Sequence, residues 1–251
     1  MSSTTWTPVA VASESGAALR EHSRPWRGRL WRAVEAQHRV STLRLVDSLS
    51  EQAQLEDLLE SSKPALPATR LSLHYLLTTP FRYPPHHPGG SRFRSATDAG
   101  VFYGADARRT ACAELGYWRW RFLTDSPALP RLESVPHTLF YCEASGSTLD
   151  LTREPFRGDA ARWMAPNDYS ACQKLGAEAR QAGMEMIRYA SVRDPEHELC
   201  TAALTPQVFT PRPLEEQTWR LAVTRQRILW QRESVLFDES FEFAAGPGPA
   251  G

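Results

Sequence analysis

The second half of the chain is a succession of short apolar alternations broken by turn residues, and this pattern constrains the fold more than any other feature. Thr138 to Cys142 and Thr148 to Leu151 read as neighbouring strands around Ser145-Gly146, and Met184 to Tyr189 and Leu199 to Leu204 as two more. Trp219, Leu221 and Val223 alternate with polar residues, the period of a strand with one dry face, and Ile228 and Trp230 continue the pattern on a partner strand. Arg29 to Glu35 and Val101 to Tyr103 add strands in the first half. Such a sheet needs helices to cover it. Leu49, Leu55, Leu58 and Leu59 have helical spacing up to Lys63, where Pro64 closes the segment, and Leu71 to Leu77 reads as a short helix stopped by Pro80. Asp106 is the expected N-cap of a helix with Ala113, Tyr117, Trp120 and Leu123 near one face and Pro127 just beyond its end. Tyr169 to Ala182 reads as a helix with Gly183 at its C′ position. The expected fold is α+β, a single mixed domain with a small β-sheet core flanked by helices. That domain spans 23–243, with a loose arm over 1–22, an insertion at about 40–88 and a flexible tail over 244–251.

Composition narrows the function. Lys+Arg and Asp+Glu both number 29, so the formal net charge is zero, which speaks against non-specific nucleic-acid binding. Lysine occurs only at Lys63 and Lys174; the other basic residues are arginines, whose planar forks suit phosphates and carboxylates, although GC-rich codon usage enriches arginine equally. Cys112, Cys142, Cys172 and Cys200 form no Cys-x-x-Cys pair, which argues against a zinc ribbon or redox dithiol. Met1 to Arg20 lacks the apolar stretch of a signal peptide, and no apolar run approaches the ~20 residues that span a bilayer. A cytoplasmic protein with reduced, mostly buried thiols is expected.

Three polar residues interrupt the apolar pattern. Arg32 lies within Leu-Trp-Arg-Ala-Val, Glu114 among Ala111, Cys112, Ala113 and Leu115, and Ser191 after a buried-looking strand. Singly, each has an ordinary explanation: a solvent-facing strand arginine, a wet-face glutamate, a turn serine. Around them stand Gly90-Ser91-Arg92-Phe93, Val101-Phe102-Tyr103-Gly104-Ala105 and Thr110-Ala111-Cys112-Ala113-Glu114, with eleven residues from Arg92 to Tyr103 and eleven from Tyr103 to Glu114. The order Arg, Glu, Ser and these stretches resemble the RES-domain family over roughly residues 29 to 210. Ser91 and Phe93 depart from the family's usual Gly and Trp, and the long insertion between Arg32 and Arg92 is a further departure.

The resemblance implies an ADP-ribosyltransferase-like fold and a toxin of an Xre-partnered toxin–antitoxin pair. Such a toxin consumes NAD as substrate, either releasing nicotinamide or passing ADP-ribose to a protein. Cleaving the ribose–nicotinamide bond builds positive charge on the sugar, as in glycoside cleavage. The implied catalytic set is Glu114, Arg32 and Ser191. Glu114 would stabilise the ribose charge and hold the 2′-hydroxyl, Arg32 and Arg92 would bind the pyrophosphate, Tyr103 would stack on nicotinamide, and Ser191 would hydrogen-bond the dinucleotide. No Ser/His/Asp spacing marks Ser191 as a nucleophile. Glu143 and Glu178 are the next carboxylates in line for the role of Glu114. The expected partners are a cognate Xre-like antitoxin, a protein acceptor under the transferase reading, and a second copy of the chain in a homodimer. No metal, membrane or direct nucleic-acid partner is expected. The other reading is a catalytically inactive nucleic-acid- or protein-binding module on the same fold.

Other features carry less. His74 and Tyr75 could serve an NAD pocket, but core packing is the stronger reading. His86 and His87 have no third ligand at metal spacing. Trp118-Arg119-Trp120-Arg121 cannot form one aromatic face on a helix, so Trp120 is expected inside and an arginine outside. Gly-x-Gly-x-x-Gly and Walker patterns are absent. The Pro- and Gly-rich loop from Arg82 to Asp98 leads into Arg92, which makes it a candidate entrance and antitoxin target, or else a plain surface insertion.

Overall fold

The computed structural model describes residues 16–36, 48, 50–51, 54, 73–83 and 88–245. The helix expected at 49–63, His86 and His87, most of the 40–88 insertion and residues 246–251 of the tail lie largely or wholly outside them. Residues 16–21 are helical and Leu19 is buried in the core, where a loose arm was expected. The apolar face of that short turn gives it something to pack against.

The strands are β1 (Arg24–Glu35), β2 (Phe102–Ala105), β3 (Leu132–Asp150), β4 (Met186–Ala190), β5 (Leu199–Ala203), β6 (Glu215–Val223), β7 (Arg227–Arg232) and β8 (Ser240–Ala244). They form one eight-stranded mixed sheet in the order β1-β2-β5-β4-β3-β6-β7-β8, and β1 pairs β3 as well. The first five therefore close a circuit, and β6, β7 and β8 extend it as an antiparallel meander. Besides the helical residues 16–21, the helices bounded within the described residues are α1 (Tyr75–Arg82), α2 (Arg108–Thr124), the single-turn α3 (Ala160–Trp163) and α4 (Ser170–Gln181). The mixed α+β class is as expected from the sequence, with a larger sheet than the small core foreseen.

The enlargement has two sources. The strands expected on either side of Ser145-Gly146 are one continuous strand, β3. Gly146 makes no turn: a Cβ there would lie 2.6 Å from Glu185 Oε2, and that carboxylate accepts from the Ser147 N–H (2.8 Å) and hydroxyl (3.1 Å). The glycine serves close approach rather than chain reversal. β8, which the sequence reading missed, pairs β7 and starts just after an exposed apolar stretch, Val235 to Phe237. Its last residue, Ala244, is the first of the expected tail.

Alternation sends successive residues into two cores. Phe102, Phe140 and Met186 join Leu30, Leu76, Leu77 and Phe209 on one face, while Leu139, Ile187 and Tyr189 join Phe93, Ala113 and Trp219 on the other. Trp219 and Trp230 are fully buried, and Leu221 pairs Trp230 across β6 and β7 as the alternation predicted. Truncating either tryptophan to alanine removes a contact set worth about 3–5 kcal/mol. All four cysteines are buried and free. Among the described residues, no helix is long and apolar enough to cross a membrane.

Two helix boundaries differ from the sequence reading. Pro80 lies inside α1, which begins at Tyr75, rather than stopping it. In an eight-residue helix it removes one hydrogen bond, and the buried Leu76, Leu77 and Thr78 hold the segment by packing. The N-cap of α2 is Ala107, with no side-chain cap. Asp106 is engaged elsewhere, in a bidentate pair with the buried Arg188 (3.0 and 2.6 Å). α4 ends as expected, with Gly183 following at φ +76°.

Candidate active site

α2 lies against the sheet through small residues, with Thr110, Ala111, Cys112, Ala113 and Gly116 buried. That close packing carries Glu114 into the interior edge of the sheet, where β4 ends and Ser191 follows, fully buried. Ser191 Oγ donates to Glu114 Oε1 at 2.6 Å and accepts the backbone N–H groups of Arg193 (3.2 Å) and Asp194 (3.0 Å). With both acceptor positions filled, the hydroxyl proton has one direction, toward the carboxyl group. Burial raises the pKa of Glu114, while the Ser191 bond and the charges of Arg92 and Arg193 pull it back and Asp194 adds to the rise.

Arg92 is carried by a tight turn in which Ser91 and Arg94 exchange backbone bonds (2.7 and 3.1 Å). Its Nη1 donates to the carbonyls of Trp163 (2.8 Å) and Ala165 (3.1 Å), and its guanidinium lies over the Tyr169 ring at 4.7 Å. Tyr103 fixes the turn from β2: its hydroxyl bonds Ser91 Oγ and accepts the Phe93 N–H, both at 2.9 Å. The two departures from the family pattern thus have local roles. Ser91 supplies a partner for the Tyr103 hydroxyl, and Phe93 is buried edge-on against Tyr189 (5.0 Å). α4 clamps the same turn. The Gln173 amide donates to the carbonyls of Gly89, Ser91 and Arg94, and a Cβ at Gly176 would lie 2.5 Å from the Phe93 carbonyl oxygen. The described part of the 82–98 loop is therefore packed at Arg92 to Arg94, while Pro88, Gly89, Ala96 and Thr97 stay exposed.

Arg193, which the sequence reading passed over, completes the wall. Its guanidinium lies over the Tyr117 ring at 3.6 Å, and its Nη2 donates to the Pro166 carbonyl and to Tyr169 Oη (3.2 Å). Both Arg92 and Arg193 act electrostatically on Glu114, yet each is anchored to carbonyls of the 163–166 segment and neither closes an ion pair on the acid. A half-buried carboxyl faced by two held-back guanidinium groups suits a ligand carrying hydroxyls at one end and phosphates at the other.

Arg32 stands apart. Its Nη1 donates to the Tyr103 carbonyl at 2.8 Å, and its guanidinium stacks over Phe102 at 4.7 Å. β1 and β2 meet at a single register pair, Trp31 opposite Ala105, so the side chain bridges the strands where a longer ladder would continue. Burial lowers its pKa to about 10, and its Nε is buried without a hydrogen-bond partner among the described residues. Among the described residues no contact joins Arg32 to Glu114 or Ser191. The structure thus brings together Glu114, Ser191, Arg92 and the turn held by Tyr103, and links Arg32 to them only through the Tyr103 backbone.

The remaining candidates lie elsewhere. His74 lies tilted against Tyr75 (4.5 Å) at the start of α1, where the His74 backbone N–H donates to the Pro211 carbonyl; Tyr75 is exposed, so the core packing expected of the pair does not hold for it. Glu143 pairs with Arg27 (3.3 Å), and Glu178 is the i+4 neighbour of Lys174 on α4. Trp120 packs against the core and Trp118 is largely exposed, as the helical geometry required.

The family model of the RES domain matches residues 65–224. The chain belongs to the RES-domain family. The matched span contains Arg92, Tyr103, Glu114 and Ser191, and Arg32 lies before it. None of the curated proteins matches the sequence. Among solved structures, the M. tuberculosis MbcT–MbcA toxin–antitoxin complex contains a chain similar to this RES protein with a TM-score of 0.49 and 14% identity, over 85% of this chain and 92% of that one.

Residues missed in the sequence left faint signals. Ser191-Val-Arg-Asp is a serine followed at two and three residues by N–H groups it can cap, and Thr110 stands one helical turn before Glu114.

Proposed function

We propose that the chain is the toxin of a toxin–antitoxin pair and an NAD-consuming enzyme that breaks the nicotinamide–ribose bond. The observation that carries this reading is the hydrogen bond from buried Ser191 to half-buried Glu114, set among Arg92 and Arg193 in a member of the RES family. In the proposed step the bond from ribose C1′ to the nicotinamide nitrogen breaks, and its electron pair leaves with the now neutral nicotinamide. The positive charge left on the ribose is stabilised by ionised Glu114, which Ser191 orients through Oε1, leaving Oε2 for the ribose 2′-hydroxyl. Arg92 takes the pyrophosphate, and Arg32, whose Nη1 holds the Tyr103 carbonyl, supports binding of the same dinucleotide through that strand. The face of Tyr103 is the surface for nicotinamide. Water, phosphate or a protein side chain then captures the sugar.

Purified protein incubated with NAD, with and without phosphate, releases nicotinamide under this reading. Labelled NAD in cell extract separates transfer from breakdown by whether label reaches a protein. No loss of NAD under any of these conditions sinks the proposal, and recovery of nucleic acid from lysate would then favour a binding module. An antitoxin of Xre type acting in the cytoplasm is part of the same proposal. It predicts an adjacent reading frame encoding a DNA-binding or small inhibitory protein, and growth arrest when this chain is expressed alone.

A further inference from the structure

Ser191 aims its proton at Glu114 only because two backbone N–H groups, of Arg193 and Asp194, fill its acceptor positions. The aim is therefore as good as the turn that presents those groups. That turn is pinned by Asp194, whose side chain is fully buried. Asp194 Oδ2 accepts the Thr110 hydroxyl at 2.7 Å, and Oδ1 takes Arg109 Nη1 and the Glu196 N–H (3.3 Å). Thr110 is itself fully buried and stands one turn before Glu114 on α2. Two side chains of one short loop, Ser191 and Asp194, thus grip the same helical face at positions four residues apart. A third pin comes from His197, which has a left-handed backbone (φ +53°) unusual for a residue with a side chain. Its N–H donates to the Asp194 carbonyl (2.9 Å) and its Nδ1 donates to the Ser191 carbonyl (2.7 Å). Strained backbone held by this many partners belongs where geometry is fixed for a purpose.

We infer that Asp194, through its buried bond to Thr110, is a positioning residue that holds Ser191 aimed at Glu114. The inference rests on the proposed role of Glu114 for its effect on turnover, but not for its effect on the carboxyl group itself. The groups acting on Glu114 are Ser191, Arg92, Arg193 and Asp194, with the buried Tyr189 and Cys200 thiol also in its field.

The test is titration of the Glu114 carboxyl group in the full chain, labelled with ¹³C-glutamate and assigned by loss of the signal in Glu114→Gln. Thr110→Val removes the hydroxyl at nearly constant volume and leaves every charge in place. Loosening Ser191 then weakens the bond that lowers the Glu114 pKa, so the titration moves to higher pH, toward that of Ser191→Ala. Thr110→Ser, which keeps the hydroxyl, restores the wild-type titration. Asp194→Glu, which keeps the charge and displaces the anchor by one methylene, moves it in the same direction as Thr110→Val and serves if that variant does not fold. An unmoved titration in folded Thr110→Val or Asp194→Glu overturns the inference, whatever the protein does to NAD. Where wild type consumes NAD, kcat falls about tenfold in Thr110→Val with KM unchanged, and the acid limb of the rate profile moves with the titration. Wild type inert toward NAD, with the titration shifted as expected, would instead leave the positioning role standing and remove the reaction assigned to the site.

Discussion

Glu114 and Arg32 are both half-buried ionisable side chains on the route from β1 to the end of β4, and their surroundings are opposite. Glu114 meets a serine hydroxyl whose direction is fixed by two backbone donors, and two guanidinium groups act on it from the neighbouring turn and loop. Arg32 has one carbonyl, one aromatic face and a buried Nε without a partner among the described residues, and burial brings its pKa to about 10. A charge with its partners in place is ready for opposite charge to develop beside it without reorganisation. A charge with too few partners weakens the fold instead. Under the proposed reaction, the Glu114 corner acts on the bond that breaks and the Arg32 corner on binding.

The largest expected effect breaks the first corner. Glu114→Gln keeps the volume and still accepts from Ser191, so the melting temperature stays close to that of wild type. Nicotinamide release falls on the order of 10²–10³-fold, the usual loss when one preorganised electrostatic group is removed. Unchanged turnover in a folded variant would mean that the carboxylate has been misidentified. Glu143 is a poor substitute in that event, because it pairs with Arg27 away from Ser191.

A smaller effect separates the second corner from the first. Arg32→Met keeps an apolar stem over Phe102 and removes the under-partnered charge. The melting temperature should hold or rise, since replacing a poorly compensated buried charge with an apolar group is commonly neutral or stabilising. KM for NAD should rise about tenfold with kcat nearly unchanged, the pattern of lost uniform binding. Calorimetry and initial rates on one preparation decide it. A lower kcat at constant KM would bring Arg32 to the reacting bond and dissolve the contrast between the corners.

How much of this contrast could be read from the sequence follows the range of the interactions. The alternation of Trp219, Leu221 and Val223 against Ile228 and Trp230 is a short-range pattern, and it gave the β6–β7 pair correctly. The run through Ser145-Gly146 misled because a glycine next to a serine reads as a turn, while the reason for the glycine is Glu185, distant in the chain. Asp106 reads as a helix cap until Arg188 is known to reach it. In the site, Arg92, Tyr103, Glu114 and Ser191 were visible through their spacing and order, while the hold of the Tyr103 hydroxyl on the 91–93 turn was not. Arg193, Asp194 and Thr110 left only faint local signals, because their roles depend on a loop closing onto a helix some 80 residues earlier.

The smallest effect sharpens the comparison through pH. The folded-state pKa of Glu114 lies above its unfolded value of 4.5, so the native state holds that proton more tightly than the unfolded chain does. Its contribution to stability is complete below the unfolded pKa and is lost as pH rises through the folded one. Glu114→Gln removes this dependence, so wild type should lose stability relative to the variant between acid and neutral pH, with the change centred above 4.5. Arg32→Met has no counterpart in that window, because a guanidinium with a pKa of about 10 stays charged throughout it. Melting temperatures of the three proteins from pH 4 to pH 8 test both statements. If the gap between wild type and Glu114→Gln instead widens in favour of wild type as pH rises, the Ser191 bond and the two arginines outweigh burial, and Glu114 is ionised in the folded protein more readily than in the unfolded one.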